Sequence, residues 1–190
     1  NIDLENEMTP KNDRKASKFL SLILRHKPQT VGLSLDKYGY IPVEDLLNAL
    51  SKHGWDGFSK EDLDRVVATN NKKRFAYSPD GKHIRASQGH SIEVDLELTP
   101  TEPPEKLFHG TVEKFIAAIK SEGLKSQSRQ HVHLSKDRET ATDVGQRRGK
   151  ALILEIDAKA MHQAGHSFFI SANEVWLAEE VPVQYITFPQ

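Results

Sequence analysis

The stretch from residue 91 to residue 105 constrains this chain more than any other part of it. It carries five acids, Glu93, Asp95, Glu97, Glu102 and Glu105, together with Pro100, Pro103 and Pro104, and is only weakly patterned. Such a stretch reads as a linker. The 190 residues then divide into a lobe over 1–92, an acidic proline-containing linker over 93–105, and a second lobe over 106–190.

Charge follows the same division. The formal net charge of -1 hides a surplus between Lys11 and His90, where 15 Lys and Arg stand against 9 Asp and Glu. A basic lobe suits a polyanionic partner, although a surplus of this size also reads as an ordinary solvated surface.

The first lobe reads as helices followed by a hairpin. From Asp13 to His26, Ala16, Phe19, Leu20, Ile23 and Leu24 share one helical face, while Lys11, Arg14, Lys18 and Arg25 lie opposite. Pro28 ends that helix. Gly39-Tyr40-Ile41 reads as a short strand, Pro42 starts a helix running to about His53, and Ser59-Lys60-Glu61-Asp62 resembles a capping box opening a helix to about Thr69. Arg74 to Ser78 and Lys82 to Ala86 are strand-like and joined by Pro79-Asp80-Gly81, which is turn chemistry. That order outlines a winged helix. Beyond the linker, strands are expected at 107–111, 132–134, 151–156, 175–177 and 183–188, with helices at 112–121 and 137–144, so the chain is α+β with a β-rich second lobe.

Several classes of chemistry are excluded. Without cysteine there is no disulfide, no thiolate metal site and no Cys nucleophile, which fits a reducing cytoplasmic setting. Apolar runs such as Leu22 to Leu24 and Ala151 to Leu154 fall far short of the ~20 residues that a bilayer span needs. The N-terminal sequence lacks the order of a secretory signal. No G-x-x-x-x-G-K-[ST] loop, G-x-G-x-x-G turn or G-x-S-x-G elbow is present. His131 with His133, and His162 with His166, have usable metal spacings without an obvious carboxylate companion, so no metal is expected.

What remains is cationic. Leu24-Arg25-His26-Lys27-Pro28 places three basic side chains at a helix C-terminus, where the macrodipole favours them. This is either a cationic cap or a phosphate grip made by Arg25 and Lys18, with His26 orienting against it. Lys72-Lys73-Arg74, Arg85 and Arg147-Arg148 are further basic spots.

In order and spacing, several motifs resemble those of the NAD-dependent RNA 2'-phosphotransferases over nearly the whole chain. They are Ser17 to Pro28, Asp36-x-x-Gly39-Tyr40, Lys73-Arg74-Phe75, Ile84-Arg85-Ala86-x-Gln88-Gly89-His90-Ser91, Phe108-His109-Gly110-Thr111, His131 to Ser135 and Asn173-x-Val175-Trp176-Leu177. The resemblance implies an N-terminal winged-helix lobe that holds RNA and a C-terminal ADP-ribosyltransferase-like lobe that holds NAD, with the active site between them. The implied reaction takes an internal RNA 2'-phosphate, as at a tRNA splice junction. Its oxygen attacks C1'' of NAD and expels nicotinamide, and the ribose O2'' then attacks phosphorus to release 2'-OH RNA and ADP-ribose 1'',2''-cyclic phosphate.

The family's Arg-His-Arg-Arg tetrad falls on Arg25, His26, Arg74 and Arg147, the last preferred to Arg148 because it stands two after Gly145. The resemblance assigns NAD to His109, Gly110, Thr111, His133, Leu134, Ser135 and Asn173. It assigns RNA or phosphate contacts to Lys18, Arg85, Gln88 and His90. NAD is consumed as a co-substrate, no metal is called for, and a monomer is expected. One rival is a transferase that stops after the first step; another is a winged-helix regulator that senses NAD.

Overall fold

An apolar stripe at helical spacing starts the fold. α1 (Pro10–Arg25) buries Ala16, Leu20, Ile23 and Leu24, the 3.6-residue period read from the sequence. The computed structural model describes residues 10–70, 72–127 and 129–190; the first nine residues, and the side chains of Pro10, Lys11 and Arg148, lie outside that set. The chain is α+β, and its contacts divide it into two units between Glu97 and Leu98, inside the acidic segment.

In the first unit, Pro28 opens a short 3-10 turn over Pro28–Val31. The Asp36 carboxylate then accepts from the backbone N–H groups of Tyr38 and Tyr40. Gly39 closes that turn at φ 86, so β1 (Ile41–Pro42) starts two residues later than expected. α2 (Val43–Lys52) follows, and α3 (Lys60–Thr69) opens on the Ser59–Asp62 capping box as its sequence indicated. β2 (Phe75–Tyr77) and β3 (His83–Ala86) form a hairpin. β1 adds to its far side, giving an antiparallel sheet of order β1-β3-β2. Leu46, Leu63 and Ile84 join the α1 residues in one core.

The second unit is built on three small antiparallel sheets. β4 (Leu107–Thr111) leads into α4 (Glu113–Glu122), then β5 (Leu124–Lys125), β6 (Val132–Leu134) and α5 (Arg138–Gly145). β7 (Leu152–Ile156), α6 (Ala158–Gln163), β8 (Phe168–Ile170), β9 (Trp176–Ala178), β10 (Glu180–Val181) and β11 (Ile186–Thr187) complete it. The sheets run β11-β7-β4, β6-β9-β8 and β10-β5. A bridge between Phe108 and Ser135 joins β4 to the end of β6.

Three features differ from the sequence reading. α6, β8 and the β10–β5 pair were not expected there. The strand expected over 183–188 begins instead as a 3-10 turn, Val183–Tyr185, because Pro182 stands at its N-cap. The acidic segment is packed: Val94 and Leu96 are buried, and Asp95 N–H donates to Lys37 in the first unit. In the second unit Thr101 N–H donates to the Phe168 carbonyl. Among the described residues no helix is long and apolar enough to cross a membrane.

Candidate functional site

Arg25 ends α1, and His26 and Lys27 both donate their backbone N–H to the Leu22 carbonyl. Three basic residues thus stand at the negative end of the helix macrodipole. The segment Ser87–Ser91 packs against this end. Ser91 N–H donates to the Arg25 carbonyl at 3.0 Å, and Ser91 Oγ lies 2.8 Å from His26 Nδ1. Gly89, at φ 89, lies beneath the Arg25 guanidinium.

The same segment reaches Arg74. Ser87 N–H donates to the Arg74 carbonyl at 2.8 Å, and Ser87 Oγ donates to the carbonyl of Lys73, which sits in the left-handed region at φ 44. Five consecutive residues therefore join the backbones of Arg25 and Arg74, which are 49 positions apart in sequence. The Arg74 guanidinium is half-buried, and that burial lowers its pKa from the usual arginine value. Among the described residues no carboxylate pairs with it. A partly desolvated cation without a counter-ion suits an anionic ligand.

His90 and Gln88 are buried, at 1% and 6% exposure. Burial, followed by the positive charge of Arg25, His26 and Arg85, pushes the His90 imidazole down to about 4. It is therefore neutral at pH 7, and its ring lies beside Gly39. Arg85 is largely committed within the unit: it donates to the Tyr38 carbonyl, lies 4.5 Å over the Tyr40 ring and faces Glu97 at 3.7 Å. Lys18 is exposed on α1.

In the second unit, β4 carries His109, Gly110 and Thr111. Gly110 lets α5 approach: a Cβ there would meet the Ala141 carbonyl oxygen at 1.8 Å. His109 Nδ1 donates to the His133 carbonyl at 2.9 Å, and the Arg129 guanidinium donates to His133 Nδ1 at 3.0 Å. A guanidinium only donates, so His133 is neutral with its proton on Nε2. Strand pairing places Leu134 opposite Trp176, but its side chain is 1% exposed and sits in the core, leaving only backbone for a ligand. Thr111 is also buried, and Ser135 exchanges backbone hydrogen bonds with Phe108. Asn173 accepts from Ser171 Oγ in the turn before β9. Arg147 is exposed on the 3-10 turn Gln146–Arg148 that continues α5.

An open pocket of about 460 Å³ lies in this unit, lined by Glu102, Pro103, Pro104, Lys136, Ile170, Glu174 and Trp176. Sequence reasoning missed it because its proline wall comes from the presumed linker. The signal was Pro103-Pro104, which fixes extended backbone where a flexible tether would carry Gly or Ser.

Comparison with known proteins adds a second line of argument. Residues 11–180 match the family model described as "RNA 2'-phosphotransferase, Tpt1 / KptA family". A "Probable RNA 2'-phosphotransferase" from Streptomyces griseus subsp. griseus is 54% identical over 179 residues, covering 90% of this chain and 94% of the relative. A protein of the same name from Flavobacterium johnsoniae is 54% identical over 175 residues, covering 92% of this chain and 96% of the relative. Another from Pseudomonas syringae pv. tomato is 46% identical over 181 residues, covering 95% and 96% respectively.

Proposed function

This chain belongs to the RNA 2'-phosphotransferase (Tpt1 / KptA) family, and from that premise we propose that it transfers an internal RNA 2'-phosphate to NAD. The products are 2'-OH RNA, nicotinamide and ADP-ribose 1'',2''-cyclic phosphate, formed through an ADP-ribosylated RNA 2'-phosphate. The observation that supports this reading is the Ser87–Ser91 segment, which bonds to the backbones of Arg74 and Arg25 and to the His26 ring and so ties three basic residues to one stretch of the first unit.

Each residue has a defined task in this proposal. Arg25 and Arg74 hold the 2'-phosphate, first as nucleophile and then as electrophile. Fixed guanidiniums stabilise the charge that develops on it without reorganising. Arg147 is the remaining cation assigned to this task. His26 takes the O2'' proton as that oxygen attacks phosphorus, a transfer within reach of an imidazole near neutral pH. His109, Gly110, Thr111, His133, Ser135, Asn173 and the Leu134 backbone receive NAD, which is consumed as a co-substrate rather than retained as a bound cofactor. The helix order and the β1-β3-β2 sheet support a winged-helix assignment for the first unit, and the paired small sheets carrying His109-Gly110-Thr111 support an ADP-ribosyltransferase-like one for the second.

The test is incubation with NAD and a short RNA bearing one internal 2'-phosphate, followed by mass spectrometry. Loss of phosphate from RNA with appearance of the cyclic phosphate is expected. ADP-ribosylated RNA that never resolves would instead indicate a transferase that stops after the first step.

A further inference from the structure

Ser91 is exposed, so its hydroxyl satisfies no buried group, yet it lies 2.8 Å from His26 Nδ1. Its own backbone N–H is fixed on the Arg25 carbonyl at 3.0 Å, and the preceding His90 is buried in the unit. The hydroxyl is thus carried on backbone anchored at its own N–H and at the buried residue before it, rather than on a loose loop.

We propose that Ser91 is a positioning residue, accepting a hydrogen bond from His26 Nδ1–H and so fixing the ring orientation and the tautomer in which Nε2 carries the lone pair. The proposal rests on the phosphotransferase reading for its consequence, but not for its geometry. When His26 holds a proton on each ring nitrogen it can only donate, so the Ser91 bond then necessarily runs from Nδ1 to Oγ. An acceptor held in that direction beforehand needs no rearrangement as the proton arrives. A hydroxyl does this without a negative charge, which a carboxylate would place beside Arg25 and so in competition with the phosphate.

The experiment pairs two readouts on the full chain. In the first, long-range proton–nitrogen NMR of neutral His26 should give one Nδ1–H tautomer in the parent protein. Ser91→Ala should give averaged nitrogen shifts, and Ser91→Thr, which keeps the hydroxyl, should restore the parent pattern. In the second, single-turnover assays with NAD and 2'-phosphorylated RNA should show the second step slowed roughly 3- to 10-fold in Ser91→Ala. The RNA concentration dependence should stay unchanged, and Ser91→Thr should recover the rate.

Parent-like nitrogen shifts in Ser91→Ala overturn the proposal. So does a rate that falls equally in Ser91→Ala and Ser91→Thr, because a packing role ignores the hydroxyl. A parent protein that leaves NAD and RNA unchanged overturns the phosphotransferase reading instead, with the NMR result still reporting on the Ser91–His26 bond.

Discussion

Gly89 lies against the guanidinium of Arg25: a Cβ on Gly89 would stand 3.2 Å from both Cζ and Nε. The backbone there is at φ 89, a conformation that costs a residue with a Cβ about 1–2 kcal/mol. Gly89→Ala should therefore lower the melting temperature by roughly 5–10 °C and also displace Arg25. Activity should fall further than the lost stability explains. Single-turnover rates measured well below the melting temperature check this, and a variant that melts earlier but turns over normally would show that the Gly89–Arg25 contact is only packing.

Arg74→Ala removes a half-buried guanidinium with no carboxylate partner among the described residues, so little folding energy should be lost with it. In the proposed reaction the second step builds more negative charge on the phosphoryl oxygens than the first, and ADP-ribosylated RNA should accumulate. Arg74→Lys should recover only part of the second-step rate, because an ammonium cannot grip two phosphate oxygens in one plane. Mass spectrometry of quenched time points measures both.

Local physics made part of this fold legible and long-range pairing hid the rest. The Ser59–Asp62 capping box and the buried stripe of α1 depend on residues three or four apart, and both are found where the sequence placed them. β5 and β10 are two residues each and exist only because Lys125 and Glu180 meet across 55 positions, which no window reveals. The acidic segment read as a linker because its charges and prolines were counted and the alternation of Val94 and Leu96 was not. At the candidate site, Arg25, His26 and Arg74 were legible as residue types. The part played by Gln88-Gly89-His90-Ser91 was not, since the burial of Gln88 and His90 leaves no mark on the sequence.

Gly110→Ala should be the most damaging single-methyl change in the second unit. Its Cβ would meet the Ala141 carbonyl oxygen at 1.8 Å and the Gly145 nitrogen at 2.9 Å. Both are backbone atoms of the α5 segment, so neither can turn aside as a side-chain tip would, and the helix must move off β4. Overpacking of this kind costs about 1–3 kcal/mol or more. Thermal unfolding should show the loss, and titration with NAD should show binding weakened along with it. Wild-type affinity in a destabilised Gly110→Ala would separate the β4–α5 packing from the NAD role proposed for this strand.

His90 should contribute to the acid sensitivity of the first unit. Its imidazole, normally near 6.5, is pushed down to about 4, first by burial and then by the positive charge of Arg25, His26 and Arg85. The unfolded chain therefore binds this proton before the folded one does. The stability contribution is fully present above about pH 6.5 and is lost as pH falls from there to about 4, amounting to about 3 kcal/mol across the window. Denaturant midpoints taken between pH 4 and 7 should fall with acid in the parent protein and fall less steeply in His90→Gln, which carries no titrating ring. Equal slopes in the two proteins would mean that other groups set that sensitivity and that His90 takes up its proton without unfolding the unit.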